Sequence, residues 1–280
     1  MSTSLAVIHK GGLPWLPFLF GFVMKSPSAA EAQVYDNIGC GYVVTRQPDP
    51  RIARMIHSAL DDARAVLNVG AGTGSYEPVD RQVVAVEPSQ AMIRQRRTGT
   101  VPVIRAVAEH LPFSEAVFDA SLAVLTMHHW HDRRAGLAEL RRVTRHRIII
   151  YTWDPACYDA FWLGAHYLPE VRDLDLPRFP NMQELAQQLG AIESHPVPIP
   201  HDCVDGFLGA YWRRPAAYLD PHVRRAMSGL AQLPQKIVEV AMTRLADDLR
   251  SGRWDEQFGW LRKLESIDLG YRLIIARLTA

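Results

Sequence analysis

Residues 67–77 read LNVGAGTGSYE, an apolar run followed by three glycines at alternate positions. The apolar run belongs to AVLNV at 65–69, which has the continuous hydrophobic character of a buried parallel strand. Glycines after such a strand let the backbone approach a ligand closely. The next apolar run, VVAVE at 83–87, ends in Glu87, whose carboxylate can accept hydrogen bonds from two ribose hydroxyls. This order of strand, glycine turn and acidic residue predicts a nucleoside-binding site.

The residues after the turn discriminate between two nucleoside cofactors, a nicotinamide dinucleotide and S-adenosylmethionine. A dinucleotide carries a pyrophosphate, which binds at the N-terminus of a helix that begins at the turn. Only SYEPVDRQ, residues 75–82, separates the last glycine from the second strand, so this helix has room for about two turns at most. Ser75 replaces the third glycine of the dinucleotide motif, and Glu77 places a negative charge near the pyrophosphate. The stretch favours S-adenosylmethionine, which has no phosphate.

Strand and helix patterns alternate along the chain. Apolar runs predict strands at 65–69, 83–87, 101–107, 118–127 and 146–153, and helical spacing predicts helices at 50–63, 89–97, 132–144 and 181–190. Further strands are expected at 192–199 and at 271–278, where the chain reads YRLIIARL. We therefore expect a doubly wound, Rossmann-like α/β fold whose mostly parallel sheet is covered by helices on both faces.

The composition is that of an ordinary globular protein. The chain has 280 residues, of which 48% are hydrophobic and 22% are charged. Its 31 basic and 30 acidic residues nearly balance, so no general attraction to nucleic acid or to an anionic membrane is expected. Cys40, Cys157 and Cys203 lack metal-type spacing, which favours free thiols in a reducing compartment.

The N-terminal region contains LPWLPFLFGFVM at 13–24, which resembles a secretory signal. The run is too short to span a membrane, and its prolines and glycines interrupt a regular helix. Because a cytosolic cofactor would make export pointless, we expect a cytoplasmic protein. Residues 1–30 are then a variable extension, or the natural start is Met24.

Four motifs occur in a fixed order: VLNVGAGTG with Glu87-Pro88-Ser89, AEHLPF at 108–113, FDASLAVLTMHHW at 118–130, and a closing GYRLIIARL. Together they resemble the class I S-adenosylmethionine-dependent methyltransferases. The most similar group is the type 11 methyltransferases, which include enzymes of quinone biosynthesis and natural-product tailoring. The resemblance is good over about residues 34–153. It implies a seven-stranded sheet with an antiparallel last strand. Asn68 departs from the family, which usually has aspartate there.

The resemblance also implies the residues that bind S-adenosylmethionine and its product S-adenosylhomocysteine. Glu87 is expected to hold the ribose diol, and Arg46 the carboxylate of the methionine part. Pro88 and Met92 are expected to flank the adenine, and Leu125 to line the methyl-donor channel. The full implied set is Tyr35, Tyr42, Arg46, Gly70, Ala71, Gly72, Gly74, Glu87, Pro88, Met92, Ala108, Glu109, Leu125 and Thr126.

The rest of the chain is expected to form a cap over the substrate. The implied parts are a variable extension at 1–30, a cofactor-binding core at 31–153, a cap segment at 154–180, a core helix and strand at 181–200, a helical cap insertion at 201–266 and a closing strand at 267–280. Aromatic side chains of the cap would suit an apolar or planar molecule. The candidate substrate-binding residues are Tyr158, Trp162, His166, Tyr211 and Trp212. Alternatively, these side chains form the core of the insertion.

TMHHWHD at 126–132 places three histidines just beyond the fourth strand, where ligands bind in open α/β sheets. If the acceptor is a hydroxyl group, a base helps to remove its proton, and histidine suits this role near neutral pH. His128 is the first candidate for a catalytic base and His129 the second. In the alternative interpretation these histidines pack the loop. No metal site is expected, because adjacent side chains diverge and no carboxylate or thiolate spacing completes a site.

We therefore expect an enzyme that transfers a methyl group from S-adenosylmethionine to an oxygen, nitrogen or carbon of a small organic acceptor, by in-line displacement. A regulator or assembly protein that binds the cofactor without catalysis is the alternative from another class. A nucleic-acid methyltransferase is less well supported, because the cap has only RRPAAY at 213–218 and VRR at 223–225 as basic clusters. Neither nucleic acid nor a membrane is expected as a partner. The acceptor and the oligomeric state remain open.

Overall fold

The computed structural model describes residues 45–96 and 101–278. Its helices are α1 (Pro50–Ala59), α2 (Gln90–Arg94), α3 (Arg133–Val143), α4 (Glu170–Asp175), α5 (Met182–Leu189), α6 (Pro221–Arg225), α7 (Ser228–Ala231), α8 (Gln235–Ser251) and α9 (Arg253–Phe258). Its strands are β1 (Ala65–Val69), β2 (Gln82–Val86), β3 (Val103–Ile104), β4 (Phe118–Val124), β5 (Thr144–Trp153), β6 (Ile192–Pro196), β7 (Ile199–Pro200), β8 (Ser266–Ile267) and β9 (Tyr271–Arg277).

Seven strands form one sheet in the order β3-β2-β1-β4-β5-β9-β6. Strands β1 to β5 run parallel to one another, whereas β9 lies antiparallel to both β5 and β6. The central strands are mainly apolar because hydrophobic clusters cover both faces of the sheet. The expected Rossmann-like fold with an antiparallel last strand is confirmed.

Several elements are shorter than the sequence predicts. β3 has only two residues, and β4 stops at Val124 because Leu125 adopts a left-handed backbone conformation with φ +47°. α1 begins as expected, with Asp49 as its N-cap, and buries Ile52 and Ile56 against the sheet. These differences change the ends of the elements and leave their order intact.

Two mainly helical segments after β5, at 154–180 and 201–265, form a cap; they lie before α5 and between β7 and β8. A small two-stranded sheet of β7 and β8 joins the start and the end of the longer cap insertion, a pairing that the sequence did not predict. Aromatic side chains fill the interior of the cap, where Trp162 packs edge-on against Tyr218 and Trp254. Within 45–96 and 101–278, none of the helices combines the length and apolar character needed to cross a bilayer. Residues 13–24 lie outside the described residues.

Candidate functional site

The glycine turn after β1 is closely packed against the end of β4. The N–H groups of Gly70 and Ala71 both donate to the carbonyl of Val86, which anchors the turn to the end of β2. Gly70 has φ +67°, and a Cβ atom at this position would lie 1.8 Å from the hydroxyl oxygen of Thr126. Both the conformation and the space therefore require glycine at position 70.

No helix forms between the turn and β2, since residues 71–81 adopt only turns and bends. Instead, a buried ion pair lies under the turn: Arg96 donates to both oxygens of Glu77 at 2.7 Å. The side-chain amide of Asn68 donates to the same carboxylate, and Arg96 also donates to the carbonyl of Gly72. Asn68 thus replaces the usual aspartate by binding a carboxylate from the turn itself.

Glu87 follows β2 and is 4% exposed. One of its carboxylate oxygens accepts from the N–H of Gly72 at 2.7 Å, and the other accepts from the N–H of Ser89 at 2.8 Å. These bonds fix the carboxylate at the carboxyl edge of the sheet. Ser89 also caps α2 by accepting from the N–H of Met92, so the acidic residue and the helix behind it are held together.

An open cavity of about 950 Å³ lies above the turn, and we call it the first cavity. It contains eleven of the fourteen residues that the sequence implied for the cofactor: Arg46, Gly70, Ala71, Gly72, Glu87, Pro88, Met92, Ala108, Glu109, Leu125 and Thr126. Gly74 does not line it and instead contacts Glu77 and Arg96. Tyr35 and Tyr42 lie outside the described residues. The structure therefore brings together residues that are 80 positions apart in the sequence, from Arg46 to Thr126.

Sequence reasoning missed several residues of the first cavity, among them Tyr76, Ser89 and Trp130. Ser89 carried a signal, since serine is a common N-cap residue and the predicted helix begins at this position. Trp130 packs against α3, where a Cβ atom on Gly136 would lie 2.5 Å from its ring. No local pattern marks Tyr76, whose left-handed backbone (φ +64°) turns its ring into the protein interior.

A loop of the cap insertion holds the segment that enters the first cavity. Asp205 is 1% exposed and accepts from Nε of Arg46 at 2.6 Å and from the hydroxyl of Tyr76 at 2.8 Å. The backbones also join, because the N–H of Gly206 donates to the carbonyl of Thr45. Burial and the charge of Asp205 raise the pKa of Tyr76 far above its ordinary value. Asp205 was not predicted from the sequence, and it connects the cap to the α/β core.

The two candidate bases lie on a single 3₁₀ turn at Met127–His129. Their rings are in contact, with centroids 3.8 Å apart, yet His129 lines the first cavity whereas His128 lines a second one. Burial lowers the pKa of His129 to about 3, and the positive charges of Arg178 and Arg46 contribute. Burial also lowers the pKa of His128 well below 6.5, and the nearby charge of a protonated His129 is the second cause. Both imidazoles are therefore neutral at physiological pH.

The second cavity has a volume of about 830 Å³ and adjoins the first, since Arg46 and Leu125 line both. Its walls come mainly from the cap and are apolar, with Asp175 among the few polar groups. Six large aromatic side chains line it: Trp153, Tyr158, Phe161, Phe179, Phe207 and Tyr271. This apolar and aromatic lining suits an organic molecule.

Of the five aromatic residues proposed for substrate binding, only Tyr158 lines this cavity. Trp162 and Trp212 belong to the interior of the cap instead: the indole N–H of Trp162 donates to the carbonyl of Trp212, and that of Trp212 donates to the carbonyl of Ile199. Tyr211 stacks under Arg214 outside both cavities, and the exposed His166 packs on Phe258. The interpretation as cap core applies to Trp162 and Trp212, and Tyr211 packs at the edge of that core, whereas the exposed His166 fits neither interpretation.

Among the residues that the structure describes, no group of three His, Cys, Asp or Glu side chains is arranged to hold a metal ion. The thiol of Cys157 accepts a hydrogen bond from Arg272, and Cys203 is buried. Cys40 lies outside the described residues. The polar groups that meet at the carboxyl ends of β1, β2 and β4 include the amides of the glycine turn, Glu87 and the two histidines.

Comparison with known proteins gives the family. Residues 67–151 match the methyltransferase domain family. A solved structure from Anabaena variabilis, of a protein assigned as a methyltransferase of an antibiotic biosynthesis pathway, is similar over 84% of this chain and 99% of its own length. The two share 32% sequence identity, and the TM-score is 0.78.

Two curated relatives are similar over shorter stretches. A tRNA (carboxymethyluridine(34)-5-O)-methyltransferase from Xenopus tropicalis is 31% identical over 129 residues, which are 43% of this chain and 20% of that protein. A demethylmenaquinone methyltransferase from Thermobifida fusca is 37% identical over 91 residues, which are 29% of this chain and 39% of that protein. The chain thus spans less than half the length of these relatives. The matching solved structure, the methyltransferase domain at 67–151 and the fold agree. This chain belongs to the class I S-adenosylmethionine-dependent methyltransferases of type 11.

Proposed function

We propose that this protein transfers a methyl group from S-adenosylmethionine, bound in the first cavity, to a small organic acceptor bound in the second. The observation that carries this proposal is the junction of the two cavities at Leu125 and Arg46. Methyl transfer is an in-line displacement at an activated sulfonium, so it depends mainly on the alignment of donor and acceptor. Two cavities that adjoin at Leu125 and Arg46 would allow a donor in one and an acceptor in the other to be aligned in this way.

The chemistry of the first cavity fits the parts of the cofactor. Glu87 presents its carboxylate to the ribose diol, and the backbone of the glycine turn lies where the methionine part would lie. Met92 and Pro88 supply apolar surface for the adenine. Arg46 would bind the carboxylate of the methionine part while Asp205 holds its Nε atom in place. The ion pair of Arg96 and Glu77 takes the place of the helix that a pyrophosphate would need, which supports this cofactor over a dinucleotide.

His128 is the candidate base toward the acceptor, because it lines the second cavity. Its lowered pKa keeps the imidazole neutral, which is the form that accepts a proton, but it also makes the group a weak base. His128 would therefore act most effectively on an acceptor whose own proton is readily lost. His129, which lines the first cavity, is the second candidate.

The second cavity favours a small acceptor over a polymer. Its walls are apolar and aromatic, and the positive charge of Arg46 is paired with Asp205, so the lining residues that the structure describes offer no basic track for a phosphate backbone. A large apolar cavity next to the cofactor site also favours catalysis over the alternative of a regulator that only binds the cofactor. A small acceptor also agrees with two of the similar proteins, the methyltransferase of an antibiotic biosynthesis pathway and the demethylmenaquinone methyltransferase.

Calorimetric titration with S-adenosylhomocysteine tests the cofactor assignment. Folded wild-type protein should bind it, and Glu87→Gln should bind it at least about tenfold more weakly, since a charged hydrogen bond contributes about 1.5–3 kcal/mol. Glu115→Gln is the matched control, because Glu115 is exposed and lines neither cavity. Absence of binding by folded wild type would refute the proposal. Release of S-adenosylhomocysteine in the presence of an acceptor panel separates an enzyme from a regulator.

A further inference from the structure

Asp175 is a buried acidic residue in the wall of the second cavity. It ends α4 and is 9% exposed, and the neighbouring wall is Gly229 of α7, where a Cβ atom would lie 3.4 Å from Oδ2 of Asp175. Across the described parts of the chain, no hydrogen bond or ion pair reaches its carboxylate. An unpaired buried carboxylate is costly, and a protein that retains one usually uses it for binding or catalysis.

The charged groups around Asp175 do not neutralise it directly. Arg178, one turn further along, contributes a favourable charge, but its guanidinium donates to Gln232. Arg46, which lines the cavity, is paired with Asp205. Burial raises the pKa of Asp175 to about 6, so the group is mostly ionised at neutral pH and lacks a counter-ion.

The remaining walls are suited to a cation. Aromatic ring faces attract ammonium groups, and the carboxylate of Asp175 adds an opposite charge in the same cavity. Six Phe, Tyr or Trp side chains line this cavity, and Asp175 lies close enough to Tyr271 to influence its ionisation. His128 is neutral for the reasons given above, so it does not oppose a positive charge.

From this arrangement we infer that the methyl acceptor is an amine: an apolar or aromatic molecule whose protonated nitrogen pairs with the carboxylate of Asp175 in the second cavity. Before transfer, the nitrogen would give one proton to this carboxylate. Its freed lone pair would then form the bond to the methyl carbon as the carbon–sulfur bond breaks, which leaves a methylated ammonium and S-adenosylhomocysteine. Asp175 then sets specificity by rejecting neutral analogues of the same shape, because those would leave the buried carboxylate unpaired. The inference rests on the proposed function and adds the class of acceptor to it.

The test compares amines with matched alcohols. Phenethylamine, tryptamine and 1-naphthylmethylamine are titrated against 2-phenylethanol, tryptophol and 1-naphthalenemethanol, with the protein saturated by S-adenosylhomocysteine. At least one amine should bind about tenfold or more tightly than its alcohol, as expected for a charged hydrogen bond. Asp175→Asn should abolish that preference, whereas Asp173→Asn, an exposed residue on the same helix, should retain it.

A structural role for Asp175 predicts something different. If the carboxylate stabilised the fold, Asp175→Asn would lower the thermal midpoint; since it is unpaired, we expect the variant to unfold at the same temperature or higher. Equal binding of amines and alcohols, an amine preference that survives Asp175→Asn, or no binding of any amine at millimolar concentration would each overturn the inference. Failure of S-adenosylhomocysteine to bind wild type would instead refute the proposed function.

Discussion

Replacement of Asp205 by asparagine is expected to weaken both the fold and the cofactor site. The carboxylate accepts two side-chain hydrogen bonds, from Arg46 at 2.6 Å and from Tyr76 at 2.8 Å, and it is 1% exposed. Asparagine has the same shape but no charge, so the guanidinium of Arg46 would lose the negative charge of Asp205 while it stays mostly buried. Breaking a buried ion pair in this way costs about 3–5 kcal/mol.

This energy gives a measurable change in thermal stability. For a domain of this size, each kcal/mol corresponds to about 2 °C, so Asp205→Asn should lower the midpoint by about 6–10 °C. Because the same residue holds Arg46 in the first cavity, the affinity for S-adenosylhomocysteine should fall by about tenfold, as expected for loss of one charged contact. Affinity is measured by calorimetry well below the midpoint, where the variant is folded.

Asp202→Asn is the matched control. Asp202 lies on the same loop and pairs with Arg51 at 2.7 Å, but its side chain is 57% exposed. Exposed ion pairs contribute little to stability, so this variant should retain the midpoint and the affinity of wild type. If the two variants had equal midpoints, or if Asp205→Asn bound S-adenosylhomocysteine as tightly as wild type, the connection between cap and cofactor site would be refuted.

Three further changes probe the glycine turn and the histidine turn. Gly70→Ala should abolish binding of S-adenosylhomocysteine in calorimetry, because the new Cβ atom would clash with Thr126; retained affinity would contradict this. Glu77→Gln should lower the free energy of unfolding in urea by about 3–5 kcal/mol, since Arg96 is buried with it, and a loss below about 1 kcal/mol would contradict a paired site. The pKa of His129 is about 3 in the folded protein and 6.5 in the unfolded chain. Between pH 3 and pH 6.5 the unfolded chain therefore binds a proton at this residue and the folded protein does not. Stability should thus fall as pH drops below about 6.5, by at most about 1.4 kcal/mol per pH unit for this group, and His129→Gln should flatten that slope.

The parts of the site that the sequence predicted are those made by neighbours along the chain. A strand, a turn and the end of the next strand lie within about twenty residues, from Leu67 to Glu87, and parallel pairing of β1 with β2 places them together. The sequence spacing of these three elements therefore determines most of the geometry of the glycine turn and Glu87. The pairing of Asn68 with Glu77 is also local, but it depends on the backbone of a turn without a helix, which composition alone does not specify.

The parts that the sequence did not predict depend on contacts between distant residues. Arg46 and Asp205 are 159 positions apart, and Tyr76 and Asp205 are 129 apart. No periodicity relates such pairs, since the conformation of every element between them decides whether they meet. The aromatic residues of the cap show the same limit: Tyr158 and Trp162 are four positions apart, yet one lines the second cavity and the other is buried in the cap.

The neighbouring histidines show how backbone geometry can separate two residues that a sequence motif groups together. Leu125, which lines both cavities, has a left-handed backbone and ends β4, and the chain continues directly into the 3₁₀ turn. A 3₁₀ helix has three residues per turn, so consecutive side chains point about 120° apart. That rotation sends His129 to the first cavity and His128 to the second. In the proposed reaction the two residues are therefore not interchangeable as bases: only His128 adjoins the acceptor, whereas His129 adjoins the methyl donor.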